Sequence, residues 1–433
     1  VSPSFPKEFP TKSTEEELFF SLDRAKFCSS SRVIPRPTTT VTYLFHYVNG
    51  TAMKFSCTQE NLHQGLSAVS HIATKNVNLP ILGNVLITCD NKVLRFTATN
   101  LEVAVNCSVR GKVEAAGQYT VPSKLFADYI SLLPNERVDV ALDSDALVVA
   151  CGSYQTRLKG IPSSEFPLIP SIERKHRFVL KVDELRRAIG QVLFAVSPNE
   201  SRPEISGVLF KFQPNKQEMR LVLAATDSYR LAEKTIQVQP APDLSKEELS
   251  VIVPARTVSE LVRILGVFKD AIDNPETIEI FIGENQILFS YNNTEFVSRT
   301  IEGKYPDYRQ LVPERFETEV VVPKEDLLRA VKTTSLFSRT GLNDINLSFT
   351  ADKMVRVKAM NAQTGEHVVD LDGAVKGKDN GVTVNFRYFM DGINNIDGDS
   401  VMIQLIDGLN PCLVKPFGDA ADDYLYIVMP IRQ

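Results

Sequence analysis

A chain of 433 residues with 43% hydrophobic content is long enough for about three ordinary domains with cores of their own. Its 48 basic and 53 acidic residues leave a net charge of −5, which excludes a uniformly basic nucleic-acid binder but not one with a single positive face. No apolar run approaches the roughly 20 residues of a membrane span. Six scattered cysteines (Cys28, Cys57, Cys89, Cys107, Cys151, Cys412) without a CxxC pair, and five histidines outside HxxxH or HExxH spacing, argue against disulfides and metal and for a reducing cytoplasm.

Residues 1–52 are rich in Ser, Thr and Pro and lack the periodicity of residues 53–433; the apolar run 41–47 is short and broken by Thr and His. Met53-Lys54-Phe55 then starts a strand. The expectation is that Met53 is the true start and residues 1–52 are an upstream translated extension, with a disordered regulatory tail or a targeting peptide as alternatives. The Glu15-Glu16-Glu17 run counts against a transit peptide, which is poor in acids.

From Met53 onward the chain repeats. Each copy is expected to open with a short strand (54–57, 177–181, 319–322) and continue into a helix marked by Leu62/Gly65/Leu66, Leu185/Ala188/Ile189 and Leu327/Ala330/Val331. In the first two copies the apolar spacing is four, three, four: Leu62, Leu66, Val69, Ala73 and Leu185, Ile189, Val192, Val196, a stripe that packs one helix face inward. In the third it weakens after Val331, where Thr334 and Ser338 take the later places. Strands such as 93–97 and 220–224 lead to a second helix (123–133, 255–265, 386–396), introduced by Val121-Pro122, Val253-Pro254 and Val384-Asn385, about 132 residues apart. Asp143-Ser144-Asp145 and Gly283-Glu284-Asn285 read as hairpin turns between further strands. The first two copies close alike, from Phe166-Pro167 and from Tyr305-Pro306, and the third ends at Met429-Pro430.

Linkers near 171–176 and 314–318 divide the chain into domains 53–172, 177–313 and 318–433. A domain-sized period means three tandem copies of one α+β fold, two helices on one side of antiparallel sheet, because a solenoid would repeat every 20–50 residues or so.

Catalytic motifs are missing: there is no GxSxG, Walker loop, Rossmann fingerprint or zinc signature. Thr226-Asp227-Ser228-Tyr229-Arg230 could supply a nucleophile with an acid and a base, yet it falls at a strand end, where Asp and Ser are ordinary turn formers. Paired acids such as Glu325-Asp326 and Asp422-Asp423 read as solvated surface. Basic residues gather on the repeated helices and the loops after them: Lys75, Lys124, Arg186, Arg187, Arg202, Arg256, Arg263, Lys324, Arg329, Lys332, Arg339 and Arg387. Acids concentrate elsewhere, in 276–279, 370–372 and 419–423. Helices facing one way would give a positive face; the competing reading is helix faces charged for solubility.

Leu79-Pro80-Ile81-Leu82-Gly83-Asn84, Arg202-Pro203-Glu204-Ile205-Ser206-Gly207-Val208, Ala225-Thr226-Asp227-Ser228-Tyr229-Arg230-Leu231, Tyr305-Pro306-Asp307-Tyr308 and Tyr426-Ile427-Val428-Met429-Pro430-Ile431-Arg432 closely resemble the bacterial DNA sliding clamps, the β subunits of DNA polymerase III. The resemblance runs in register from Met53 to Gln433. It implies a head-to-tail homodimeric ring of six similar domains, with helices lining a hole through which duplex DNA passes and sheet forming the rim. It implies a protein that is not an enzyme, needs no cofactor, and tethers the replicative polymerase for processive synthesis. A sliding ring needs diffuse Lys and Arg contacts to phosphate, since base-specific contacts would arrest it.

By motif position the resemblance assigns Lys75, Asn76, Lys124, Asn199 and Arg202 to DNA, Asn76 standing where arginine is common. It builds a partner-peptide pocket from Ile205, Thr226, Ser228, Tyr229, Arg230, Leu231, Pro306, Leu311, Leu409, Met429, Pro430, Ile431 and Arg432. That pocket would take short Gln-Leu-x-Leu-Phe-like motifs of the polymerase α subunit, the clamp-loader δ subunit and other proteins. Ser228 replaces a common glycine and Gln310 an arginine of some members. Leu336 and Phe337, on the third domain's helix, are expected to cross the dimer interface to the first domain near Leu158. Two alternatives stay open: a three-domain enzyme using 226–230, and a monomeric adaptor that keeps the pocket without encircling DNA.

Overall fold

Six α-helices stand among the described residues: α1 (Gln59–Val69), α2 (Ser123–Ser131), α3 (Val182–Leu193), α4 (Ala255–Val267), α5 (Lys324–Thr334) and α6 (Phe386–Asn394). The computed structural model describes residues 53–432 apart from 75, 91, 170–171, 216–217, 241–244, 269–273, 351–353 and 419–422. Residues 1–52 with Cys28, and the DNA candidate Lys75, lie outside the described residues.

Local chemistry sets where the helices begin. Thr58 caps α1, its side chain accepting from Asn61 N (3.3 Å), and Asn385 caps α6, accepting from Arg387 N (2.9 Å). Pro122, Pro254 and Pro323 stand immediately before α2, α4 and α5. Leu62, Leu66 and Val69 of α1 and Leu185, Ile189 and Val192 of α3 are buried as their spacing requires. Ala73 and Val196 are not the next buried positions, because both helices stop one turn earlier. The chain then tightens into three-residue turns, Ile72 N donating to Val69 O (3.2 Å) and Ala195 N to Val192 O (3.0 Å). Losing about half a residue per turn moves the buried place back by one, to Ile72 and Ala195. In α5, Thr334 is fully buried and meets His367 Nδ1 at 3.1 Å, so the weak stripe still points inward.

The antiparallel sheet of each repeat is divided in two. One half-sheet comes from strands between the two helices, the other from the strand before the first helix plus those after the second; Lys112–Ala115 and Ala374–Gly377, though between helices, join the latter. Half-sheets of successive domains fuse. Strand Thr294–Arg299 pairs antiparallel with Val103–Val109, Phe296 opposite Val105, giving an eight-stranded sheet. Strand Tyr424–Val428 pairs with Arg230–Gln237, Tyr426 opposite Ala232, giving a nine-stranded one.

One half-sheet is left over at each end. The first domain keeps a five-stranded sheet whose outer strand, Tyr154–Lys159, pairs with Ala146–Cys151 on one side and has no neighbour on the other among the described residues. The third keeps a four-stranded sheet with Gly365–Asp372 open in the same way. Among the described residues, these two strands stand where the joints inside the chain have a partner, and have none.

Cys57, Cys89, Cys107, Cys151 and Cys412 are buried and unbridged. Burial pushes the thiols of Cys57 and Cys107 up to about 11 and those of Cys89 and Cys412 to about 12.

Candidate functional site

Thr226–Arg230 is a turn that satisfies itself. Thr226 Oγ1 donates to Arg230 O (2.7 Å) and accepts from Ser228 N (3.1 Å), while Asp227 Oδ1 accepts from Tyr229 N and Arg230 N. The Asp227 carboxylate is also held by Arg230 Nε at 3.0 Å, and Ser228 Oγ accepts from Arg202 Nη1 at 2.9 Å. The side chains of Thr226, Asp227, Ser228 and Arg230 are all committed to the turn or its support. Ser228 has φ +78°, the left-handed region where glycine is easiest, which gives a physical content to its departure from glycine.

Around that turn the second and third domains meet. Arg230, expected among the pocket residues, ties the two domains together: it donates to Asp391 of α6 (2.5 Å) and to Phe194 O at the end of α3 (2.9 Å). Its guanidinium lies over the Tyr388 ring at 4.6 Å and the Phe194 ring at 5.5 Å. Tyr388 in turn stacks with Tyr229 at 6.3 Å and 21°. The chain's end is fixed to the same place, Met429 N donating to Tyr229 O (2.9 Å) and Ile431 N to Thr383 O (2.7 Å). Tyr388, Asp391 and Phe194 were not singled out from the sequence, and no spacing connects them to the turn, since they lie far from it along the chain.

Beneath this rim, Leu231, Leu209, Ala224, Ile427 and Leu413 form an apolar floor with Tyr305 and Tyr308, and Met429 packs on it. Tyr305 donates its hydroxyl to Ala224 O (3.3 Å) and Tyr308 donates to the Glu233 carboxylate. Burial raises the Tyr305 phenol, and burial with the Glu233 charge raises that of Tyr308, so both remain neutral donors. Of the candidate pocket residues, Ile205, Thr226 and Leu231 are buried; Pro306, Met429, Pro430 and Ile431 are half-buried. Tyr229, Leu311, Leu409 and Arg432 are exposed, so large apolar side chains stand open beside an apolar floor. Gln310 Nε2 donates to Asp307 (2.8 Å).

The basic residues divide into two sets. Lys124, Arg256, Lys332 and Arg387 are exposed with no carboxylate at ion-pair distance among the described residues. The others are engaged: Arg187 with Asp397 (2.7 Å), Arg186 with Asp183 (3.7 Å), Arg329 with Asp326 (3.9 Å) and Arg339 with Asp344 (2.5 Å). Arg263 leaves the candidate face altogether, donating to Ser67 O and Ala68 O of α1 across the first domain joint. Asn76 and Asn199 are exposed and shape their own loops, Asn76 Oδ1 accepting from Asn78 N and Leu79 N, Asn199 Oδ1 from Ser201 N. Arg202 is held by Glu204 (3.0 Å) and Ser228, which turns it toward the pocket rim.

At the free ends, Leu336 and Phe337 lie on a short 3-10 turn, Ser335–Phe337, rather than on α5 itself. Leu336 is 73% exposed, and Phe337 is half-buried against His367 (5.5 Å, 14°). Leu158, expected near the interface, is buried in the first domain's own core, on the strand Tyr154–Lys159. The repeat points instead to Leu132 at the end of α2, 83% exposed, whose counterpart Ile264 in α4 is only 1% exposed at the joint with α1.

Three family descriptions match the chain from Met53 onward: DNA polymerase III beta subunit, N-terminal domain, over residues 53–170; central domain, over 179–307; and C-terminal domain, over 309–432. The chain is 30% identical over 381 residues to the beta sliding clamp of Staphylococcus aureus, covering 86% of this chain and 96% of that one. Among solved structures, the DNA polymerase III beta subunit of Thermotoga maritima matches with a TM-score of 0.79 at 26% identity, over 88% of this chain and 100% of that chain. A sliding clamp (DNA polymerase III subunit beta) of Pseudomonas aeruginosa bound to griselimycin matches with a TM-score of 0.80 at 27% identity, again over 88% and 100%.

Proposed function

The chain belongs to the DNA polymerase III beta subunit family, and we propose that two copies close head to tail into a six-domain ring that encircles duplex DNA. Such a ring is a processivity clamp that tethers the replicative polymerase; its work is binding rather than catalysis.

The observation that carries the ring reading is the pair of unpaired edges. Both joints inside the chain are made alike, the last strand of one half-sheet against the third strand of the other. Continuing that rule sets Tyr154–Lys159 of one copy against Gly365–Asp372 of the next, with Arg157 opposite Glu366 and Thr156 opposite His367. Leu336 fits the same rule. Its second-domain counterpart, Phe194, packs on Tyr426 of the following domain at 5.6 Å, whereas Leu336 stands open among the described residues.

Domains are set at 53–172, 177–313 and 318–433, with 1–52 outside them. Lys124, Asn76 and Asn199, with the exposed Arg256, Lys332 and Arg387, supply the sequence-independent phosphate field on the helices, and Arg202 joins them when freed from Ser228. The apolar floor and its exposed rim receive a short motif of the polymerase α subunit, the clamp-loader δ subunit and other proteins. The compartment is the cytoplasm, in keeping with five buried unbridged thiols. No helix among the described residues is long and apolar enough to cross a membrane.

Small-angle X-ray scattering with absolute mass on the full chain tests this. Twice the 48.3 kDa chain mass with the pair-distance curve of a hollow disc is expected. A monomer at micromolar concentration would move the function to a peptide-binding adaptor.

A further inference from the structure

We propose that the groove along the free edge of strand Leu249–Pro254 receives an extended segment of the partner protein, added as a β-strand and flanking the motif held in the pocket; this rests on the pocket reading. The strand is the outermost of the nine-stranded sheet. On one side it pairs with Gly207–Asn215, from Gly207 opposite Pro254 to Phe212 opposite Leu249. On the other it makes a single bridge, Ile301 N donating to Ile252 O at 2.8 Å.

That bond fixes the pleat. The amide and carbonyl of Ile252 point away from the sheet, and by the two-residue period so do those of Ser250. Ile301 covers Ile252, and among the described residues no backbone group answers the Ser250 pair. Open edges are ordinarily covered, bulged or blunted by proline, because they pair with any extended chain that reaches them.

This edge is left with room beside it. A groove of about 660 Å³ runs between it and Thr300–Lys304, and continues past Asn285 into a second of about 1060 Å³. Its other wall is formed by Tyr305, Pro306 and Tyr308, and both tyrosines belong to the apolar floor of the pocket. A chain anchored on that floor therefore has the groove as its continuation. Backbone pairing selects an extended, proline-free segment, with little demand on side chains.

Two variants of the full chain test this, Ser250→Pro, which removes one outward amide that the fold does not use, and Asn285→Trp, which fills the groove. Each is titrated with a labelled Gln-Leu-Ser-Leu-Phe peptide and with the purified polymerase α subunit. Expected is at least a tenfold loss of α-subunit affinity in both variants, with pentapeptide affinity within twofold of wild type. Unchanged α-subunit affinity in Asn285→Trp, with the pentapeptide bound normally, overturns the groove and leaves the pocket standing. A wild-type chain that does not bind the pentapeptide removes the pocket reading instead. Wild-type assembly beyond two chains that Ser250→Pro abolishes would assign the edge to a further copy of this chain, and would also overturn the proposal.

Discussion

Replacing Leu336 by Asp tests the closure of the ring at the open residue whose second-domain counterpart packs on the next domain. Full burial of a leucine is worth about 1.5–3 kcal/mol, and 73% of this residue is open in one copy, so closure gains about 1–2 kcal/mol from it at each seam. Aspartate forfeits that gain and brings a carboxylate with no cation assigned to it into an apolar contact, which costs several kcal/mol more. The sum is about 3–5 kcal/mol per seam, and a ring has two. At about 1.4 kcal/mol per tenfold, the dimer dissociation constant should rise by at least four decades. Leu132→Asp, on the facing helix end, should act alike, whereas Leu168→Asp, 97% exposed but at neither edge, should leave the dimer intact. Sedimentation velocity over a dilution series from micromolar to nanomolar reads all three. A Leu336→Asp dimer as tight as wild type would refute the extension of the repeat across copies.

Gly392→Ala should destabilise the third domain by about 3 kcal/mol, because the new Cβ would stand 2.0 Å from the buried Tyr426 ring; Gly190→Ala, with nothing within 4 Å, should gain about 0.5–1 kcal/mol, and thermal melts of the pair separate the two cases. Arg230→Ala removes the tie between α3, the 226–230 turn and α6; breaking a buried pair costs about 3–5 kcal/mol, discounted to about 2–4 for the half-open Asp391, with pentapeptide affinity falling alongside the melting temperature. In a Cys28→Ser background, the described cysteines should resist a thiol reagent at pH 8, since burial raises Cys151 and lifts the other four to about 11 or 12, where little thiolate forms, and should react fully once guanidinium unfolds the chain.

Local pattern carries much of this protein. Leu62, Leu66 and Leu185, Ile189 announce helices because an apolar stripe at helical spacing has one way to be buried, and the prolines and caps before the helices mark their starts in the sequence itself. The 226–230 turn is legible for the same reason, as Thr and Asp bond to backbone two to four residues away. The helix ends are less so: a change from four- to three-residue bonding after Val69 and Val192 depends on what packs over those turns, and it exchanges Ala73 for Ile72 and Val196 for Ala195.

Three occurrences of one fold, the places of its helices and the motif family can all be read along the chain, since they follow from periodicity and short-range bonding. How the copies join, and what is left over, cannot. Fused half-sheets, the Arg230 tie, the buried Leu158 and the open Leu132 all depend on pairing between residues far apart in sequence, and cross-strand neighbours leave no mark in the spacing of either strand.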